Sequence, residues 1–269
     1  MRAALLALIL LFTFAPLVAQ ETTPEATPEG TADPLAGERF THEDVSFTVD
    51  PALWSEVTVN PFTGDDPATA VPGLADAPHV AFLLLPAAPS PESRFAGEIR
   101  VYRFADVTQY AYIVDEINAL GALINAQVDL AAYMVNAPNR NDHVLPFLPV
   151  LPTSQVIRAQ AQYVQTDALT GIRYVTAYQS SAAPFTGSDF VYTFQGLSIE
   201  AQVYVSVVIP LSTDLFPAEA GDVDMDAFIA NLQPYFAESI ATLNGATADA
   251  FTPSLATLDA LVELVSIGS

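Results

Sequence analysis

Residues 155–211 constrain the fold more than any other part of the chain. Val203, Val205, Val207 and Ile209 sit at strictly alternate positions, the two-residue period of a β-strand. Residues 155–166 show the same period, with Arg158, Gln160 and Gln162 on one side and Ile157, Ala159 and Ala161 on the other. Residues 167–171 read as a turn and 172–179 as the returning strand. A second hairpin joins 189–194 to 200–211 around Gln195-Gly196-Leu197-Ser198. Consecutive strands separated by short turns pair antiparallel, because a parallel neighbour needs a crossover of a dozen or more residues.

The flanking segments supply more strands and the layer that covers them. Val45, Phe47 and Val49 alternate with polar residues and predict a strand that Asp50-Pro51 stops. Trp54, the only tryptophan, is expected to anchor the core at that strand's end. Val57 and Val59 start another strand, and residues 60–78 read as a long Pro/Gly/Asp loop. Two more strands are expected at 79–85 and 97–104. A helix is expected over 107–127, capped by Asp106, with Val107, Tyr110, Val114, Ile117, Leu120 and Ile124 on one stripe. Residues 137–153 form a loop whose apolar end, Leu145 to Pro152, is expected to be pinned on the core.

Two helices close the chain. Asp226 caps one over 227–243, which Pro234 should kink or split and Asn244-Gly245 ends. Thr252-Pro253 opens the other, with Leu255, Leu258, Leu261, Val262 and Val265 on its apolar side. The expected class is α+β: an antiparallel sheet of about five to seven strands with helices packed on it, the C-terminal helices closing one domain over 39–269.

Charge narrows the function. The 8 basic residues are all arginine, against 31 acids, for a net charge of -23. Without lysine there is no Schiff base, lysine base or phosphate-loop lysine. Phosphate backbones and anionic membrane surfaces would repel such a chain, so neither nucleic acid nor an anionic membrane is an expected partner. With no cysteine there is no disulfide, zinc–thiolate site, iron–sulfur cluster or catalytic thiol. Lysine-free composition fits GC-rich coding as well as adaptation to high salt. Under either origin, self-repulsion predicts that salt stabilises the fold.

The N-terminus predicts export. Arg2 precedes an apolar run from Ala3 to Ala15, and Pro16-Leu17-Val18-Ala19 ends in a small residue suited to cleavage. Gln20 stands where a lipoprotein would need cysteine, so a secreted product is expected, not a lipid-anchored one. Cleavage after Ala19 removes Arg2 as the sole charged side chain and leaves the mature chain one unit more negative. Residues 20–38, with Glu21, Glu25, Glu29, Asp33 and Glu38 among Thr, Pro and Gly, read as a disordered acidic leader.

Few residues suggest chemistry. Asp222, Asp224 and Asp226 alternate as calcium ligands can. A calcium loop starting at Asp222 needs Gly at its sixth position and Glu at its twelfth, which here are Ala227 and Gln233. An acidic helix start is the favoured reading of these three. His42, His79 and His143 are scattered, although His42 and His143 have acidic neighbours. No G-x-S-x-G or H-E-x-x-H is present. No catalytic, cofactor-binding or metal-binding residue is therefore assigned. The rings of Tyr102, Phe104, Tyr110, Tyr112, Tyr174, Tyr178, Phe190, Tyr192, Phe194 and Tyr204 could form a ligand platform on one sheet face, or be core if helices cover it.

Residues 45–54, VSFTVDPALW, resemble the opening strand of PsbP-like exported domains, where a strand ends in a proline and a tryptophan. Residues 145–152, 155–165, 171–179 and 190–196 are similar to a group of bacterial exported proteins that carries no assigned activity. That resemblance implies export and a single domain, and transfers no site. The expected function is an exported, acidic, non-catalytic domain that binds an extracellular or cell-surface protein or glycan. The alternative is a secreted hydrolase using carboxylates as acid and base.

Overall fold

A computed structural model describes residues 37–71, 73–88, 95–134 and 144–268. The export signal, most of the acidic leader and His143 lie outside the described residues. Two antiparallel sheets carry the fold. The smaller has the order β1-β2-β10, from β1 (Glu38–His42), β2 (Val45–Val49) and β10 (Ser266–Ile267). The larger is built from β3 (Trp54–Phe62), β4 (His79–Pro86), β5 (Gly97–Arg103), β6 (Ser154–Gln165), β7 (Thr170–Gln179), β8 (Val191–Ser198) and β9 (Val203–Pro210). Its order is β3-β4-β5-β9-β8-β7-β6, two meanders joined where β5 pairs with β9. The class is α+β, as the alternation and the helical stripes predict.

Both faces of the large sheet are covered. On one, Phe82, Ile99, Val175, Phe194, Val205 and Val207 pack with Phe47 of β2 and with helices α4 (Leu232–Gly245) and α5 (Leu255–Glu263). On the other, Tyr102, Ile172, Tyr174, Tyr204 and Val208 pack beneath α2 (Ala111–Ala126) and the apolar segment around Leu145, Phe147 and Leu148. A sheet buried on both sides reads as nearly continuous apolar strand, and β7, β8 and β9 are buried along almost their whole length.

Several boundaries differ from the sequence reading. The expected helix at 107–127 is broken: α1 (Phe104–Val107) contains Asp106, and α2 begins at Ala111 with no side-chain cap. The turn expected at 195–198 lies at 199–202 instead, and Gly196 sits within β8 opposite Gly171 of β7. A Cβ on either glycine would collide with the Phe194 ring, so this pair makes room for an aromatic lying across the sheet. In β6 the ladder slips between Ala159 and Gln162, and Gln160 takes φ 56°. This bulge moves Ala161 from the face of Ile157 and Ala159 to the face beneath α2.

The C-terminal helices are also shifted. Asp224, not Asp226, caps α3 (Met225–Ala230), accepting from the main-chain N–H groups of Asp226 and Ala227. The long helix splits at Asn231, and Pro234 falls in the first turn of α4, where a missing N–H costs nothing. Ser254, not Thr252, caps α5 by accepting from the Thr257 N–H. Strands β1 and β10 carry too little alternation to stand out in the sequence.

Candidate functional site

The richest set of polar side chains lies on the large sheet's α2 face. Glu98, Arg100 and Tyr102 take alternate positions of β5 and so point the same way. Arg100 reaches Asp76 at 2.8 Å and Glu98 at 2.9 Å. Asp76 lies on the loop after β3, which is cinched where the Asp76 N–H donates to the Asp65 carboxylate and the Asp65 N–H to the Asp76 carbonyl. His79, at the start of β4, sits in this cluster. Its Nδ1 is 2.8 Å from the Ala77 carbonyl, which assigns the proton to that nitrogen, and 3.9 Å from Asp76. Its ring centre is 4.7 Å from that of Tyr102 and 5.1 Å from that of Phe62.

Burial governs the protonation states here. Desolvation pulls His79 below its usual value, against the raising pull of the Ala77 carbonyl and Asp76. Burial, with Asp76 adding to it, pushes the Tyr102 hydroxyl far up. Burial opposes charge on Arg100, but Tyr102 and Glu98 more than compensate and keep it ionised. A histidine beside two carboxylates and a tyrosine is a possible acid–base set, and sequence spacing did not bring it together. The signal was Glu98-x-Arg100-x-Tyr102 on one strand face. What this cluster does physically is tie the long loop to the sheet: His79, Glu98 and Tyr102 are buried, Arg100 fills the space between the acids, and none of them lines either cavity described below.

A second network holds the apolar strap at residues 145–152. The Gln195 carbonyl oxygen accepts from the Leu148 N–H at 3.0 Å and from the Tyr204 hydroxyl, while its amide donates to Thr193 and Ser206, with the Leu148 carbonyl 3.2 Å away sharing those protons. Tyr174 donates to the Pro146 carbonyl, and Glu116 of α2 accepts from the Phe147 N–H at 2.8 Å. Burial raises Glu116, opposed by the Phe147 N–H and Tyr112. The groups that bond Glu116 are the protein's own Phe147 main chain and Tyr112 side chain.

Of the two readings of the rings, core is the one that holds. Tyr102, Tyr110, Tyr174, Tyr178, Phe190, Tyr192, Phe194 and Tyr204 are all buried, because helices and strap cover one face and the small sheet with α4 and α5 the other. Tyr112, at 41% exposure, is the exception among the tyrosines of that set. Asp222, Asp224 and Asp226 are exposed at the start of α3, where Asp224 spends its oxygen on the cap. His42 packs edge-on to Phe82 in β1, on the opposite face from His79. Among the described residues no group of three or more His, Asp or Glu stands close enough to hold a metal.

Each of the five described arginines bonds to another group of the chain. Arg100, Arg103 and Arg173 bond to Asp76, Asp44 and Asp259. Arg158 donates to the main-chain carbonyls of Tyr133 and Gln155, and Arg39 to the Ser46 hydroxyl. Shallow cavities open on the described surface, two of them with acidic walls. One of about 320 Å³ lies where the end of α2 meets the β6–β7 and β8–β9 turns, with Asp167 and Glu200 on its wall. One of about 270 Å³ lies beside Ser212 and carries Asp214 and Asp249. Neither is lined by a basic residue. Compared with known proteins, the chain matches no family model, no curated protein and no solved structure.

Proposed function

We propose that the chain is an exported, non-catalytic domain that binds an extracellular or cell-surface partner, and that the partner's contact surface is cationic. The observation that carries this is the fate of the arginines. Of the five described, Arg100, Arg103 and Arg173 are paired with carboxylates and Arg158 is buried, which leaves Arg39, exposed and bonded to the neutral Ser46 hydroxyl, against many surface carboxylates. A field of one sign repels partners of that sign and draws the opposite one, raising encounter rates more than final affinity. The buried rings and the absence of a basic residue from both cavity walls turn the reading from a glycan stacked on aromatics toward a protein surface rich in Lys and Arg.

The test has two arms. N-terminal sequencing of the product released by a secreting host is expected to begin at Gln20; a product retaining residue 1 removes export by a cleaved signal. Titration with poly-L-arginine and poly-L-glutamate is expected to show binding of the first alone, weakening steeply from 0.05 to 0.5 M salt. Equal binding of both polymers, or of neither, removes the cationic partner.

A further inference from the structure

We propose that the outer edge of β3 is a docking strand, to which an extended, cationic segment of a partner protein adds as an eighth strand of the large sheet. The proposal rests on the cationic-partner reading above and gives it a location. An unpaired strand edge is a row of N–H and C=O groups that another chain can complete, and proteins normally blunt such edges. The two ends of this sheet are treated differently. At β6 the Gln160 bulge is capped by α4: the Gln160 N–H donates to the Asn244 side chain, and the Gln160 amide to the carbonyls of Leu243 and Ala246. At β3 the described residues offer no comparable cover. The strand pairs with β4 alone, in unbroken register from Glu56 to Phe62 after one irregularity at Trp54.

The polar groups that face outward can be assigned. The Ala87 N–H donates to the Leu53 carbonyl, which makes the neighbouring Trp54–Pro86 pair a non-hydrogen-bonded one. Carried past the bulge, the alternation turns Val57, Val59 and Pro61 away from β4, and Pro61 has no N–H to give that ladder anyway. Val57 and Val59 therefore hold free donors and acceptors on the edge. Their side chains are half-buried on the α5 face, whereas Glu56, Thr58 and Asn60 are exposed on the other. Residues directly opposite share a face, so an incoming strand places apolar side chains beside the valines and polar or basic ones beside Glu56, Thr58 and Asn60.

Charge selects the occupant. From residue 45 to residue 88 the chain carries Asp50, Glu56, Asp65, Asp66 and Asp76, with no lysine or arginine. Of these, Asp76 is bound to Arg100. A basic strand is drawn to this edge, and a second copy of the same anionic chain is repelled.

The experiment titrates the isotopically labelled secreted protein with three eight-residue probes: alternating Arg/Val, the same peptide with N-methylated valines, and alternating Glu/Val. The Arg/Val peptide is expected to shift the amides of residues 57–60 first. N-methylation, which keeps every charge and removes the donors facing β3, is expected to weaken binding at least 10-fold, and the Glu/Val peptide is expected not to bind. Val59→Pro in the protein should weaken Arg/Val binding by a similar factor with the melting temperature little changed. Equal binding of the methylated and unmethylated peptides, with shifts spread over the surface, overturns the docking strand and leaves the cationic-partner reading standing. Failure to bind both the Arg/Val peptide and poly-L-arginine removes both. Dimerisation by sedimentation that Val59→Pro abolishes would make a second copy the occupant, and overturns the proposal.

Discussion

Gln195 sits on β8 beneath the strap with both ends of its amide engaged, so replacing it leaves several buried partners unpaired at once. An unsatisfied buried donor or acceptor costs about 1–3 kcal/mol. Gln195→Leu is expected to lose about 3 kcal/mol in urea unfolding, more than a similar swap at the surface. His79 and Glu116 make stability depend on pH in opposite senses. His79 is held below its unfolded value of 6.5, so its contribution is complete above that pH and is lost as pH falls below it. Glu116 is held above 4.5, so its ionisation costs stability as pH rises from 4.5 through its folded value. His79→Asn, which keeps a donor for the Ala77 carbonyl, should flatten the fall in stability below pH 6.5. Glu116→Gln, which keeps an acceptor for the Phe147 N–H, should remove the loss above pH 4.5. Unfolding curves at stepped pH check both signs; parallel profiles for wild type and variants would refute the assignment.

Elements contribute unequally. Helix α5 buries Leu255, Leu258, Leu261 and Val262 against the large sheet. Leu258→Ala is expected to cost about 2–5 kcal/mol by chemical denaturation, since a fully buried leucine leaves a cavity. Helix α3 has no fully buried residue and is held by its Asp224 cap and the packing of Phe228 on Tyr235. Asp224→Ala should cost about 1 kcal/mol locally, seen as faster hydrogen exchange in α3 with little change in global unfolding. Added calcium is expected to leave that exchange unaltered. The glycine pair Gly171–Gly196 explains a misread turn: in the sequence, Gln-Gly looks like a hairpin corner, but the glycine serves the Phe194 ring beside it.

The molecule as a whole carries self-repulsion. With a net charge of -23, its compact state crowds like charges together. The melting temperature is expected to rise between about 10 mM and 0.5 M sodium chloride, then level off as the screening length falls below the spacing of surface charges. A flat response would mean that the exposed carboxylates are already compensated. The same repulsion acts between copies, which is why an open strand edge in so acidic a chain need not lead to self-pairing.

The sequence by itself determined the alternation of the strands, the antiparallel pairing of neighbours, the apolar stripe of α5, the breaking of the penultimate helix near Pro234 and the α+β class. These depend on residues close in the chain, and their periods survive without knowledge of what packs on them. Tertiary structure alone decided that β5 pairs with β9, that Asp76, His79, Glu98 and Arg100 meet, and that Gln195 reaches a strap 47 positions away. It also decided that the aromatic rings are core, because a strand's period says which residues share a face but not whether a helix lies across it. The open edge at β3 belongs to the same class of fact: which strand ends a sheet follows from long-range pairing, which no local pattern encodes.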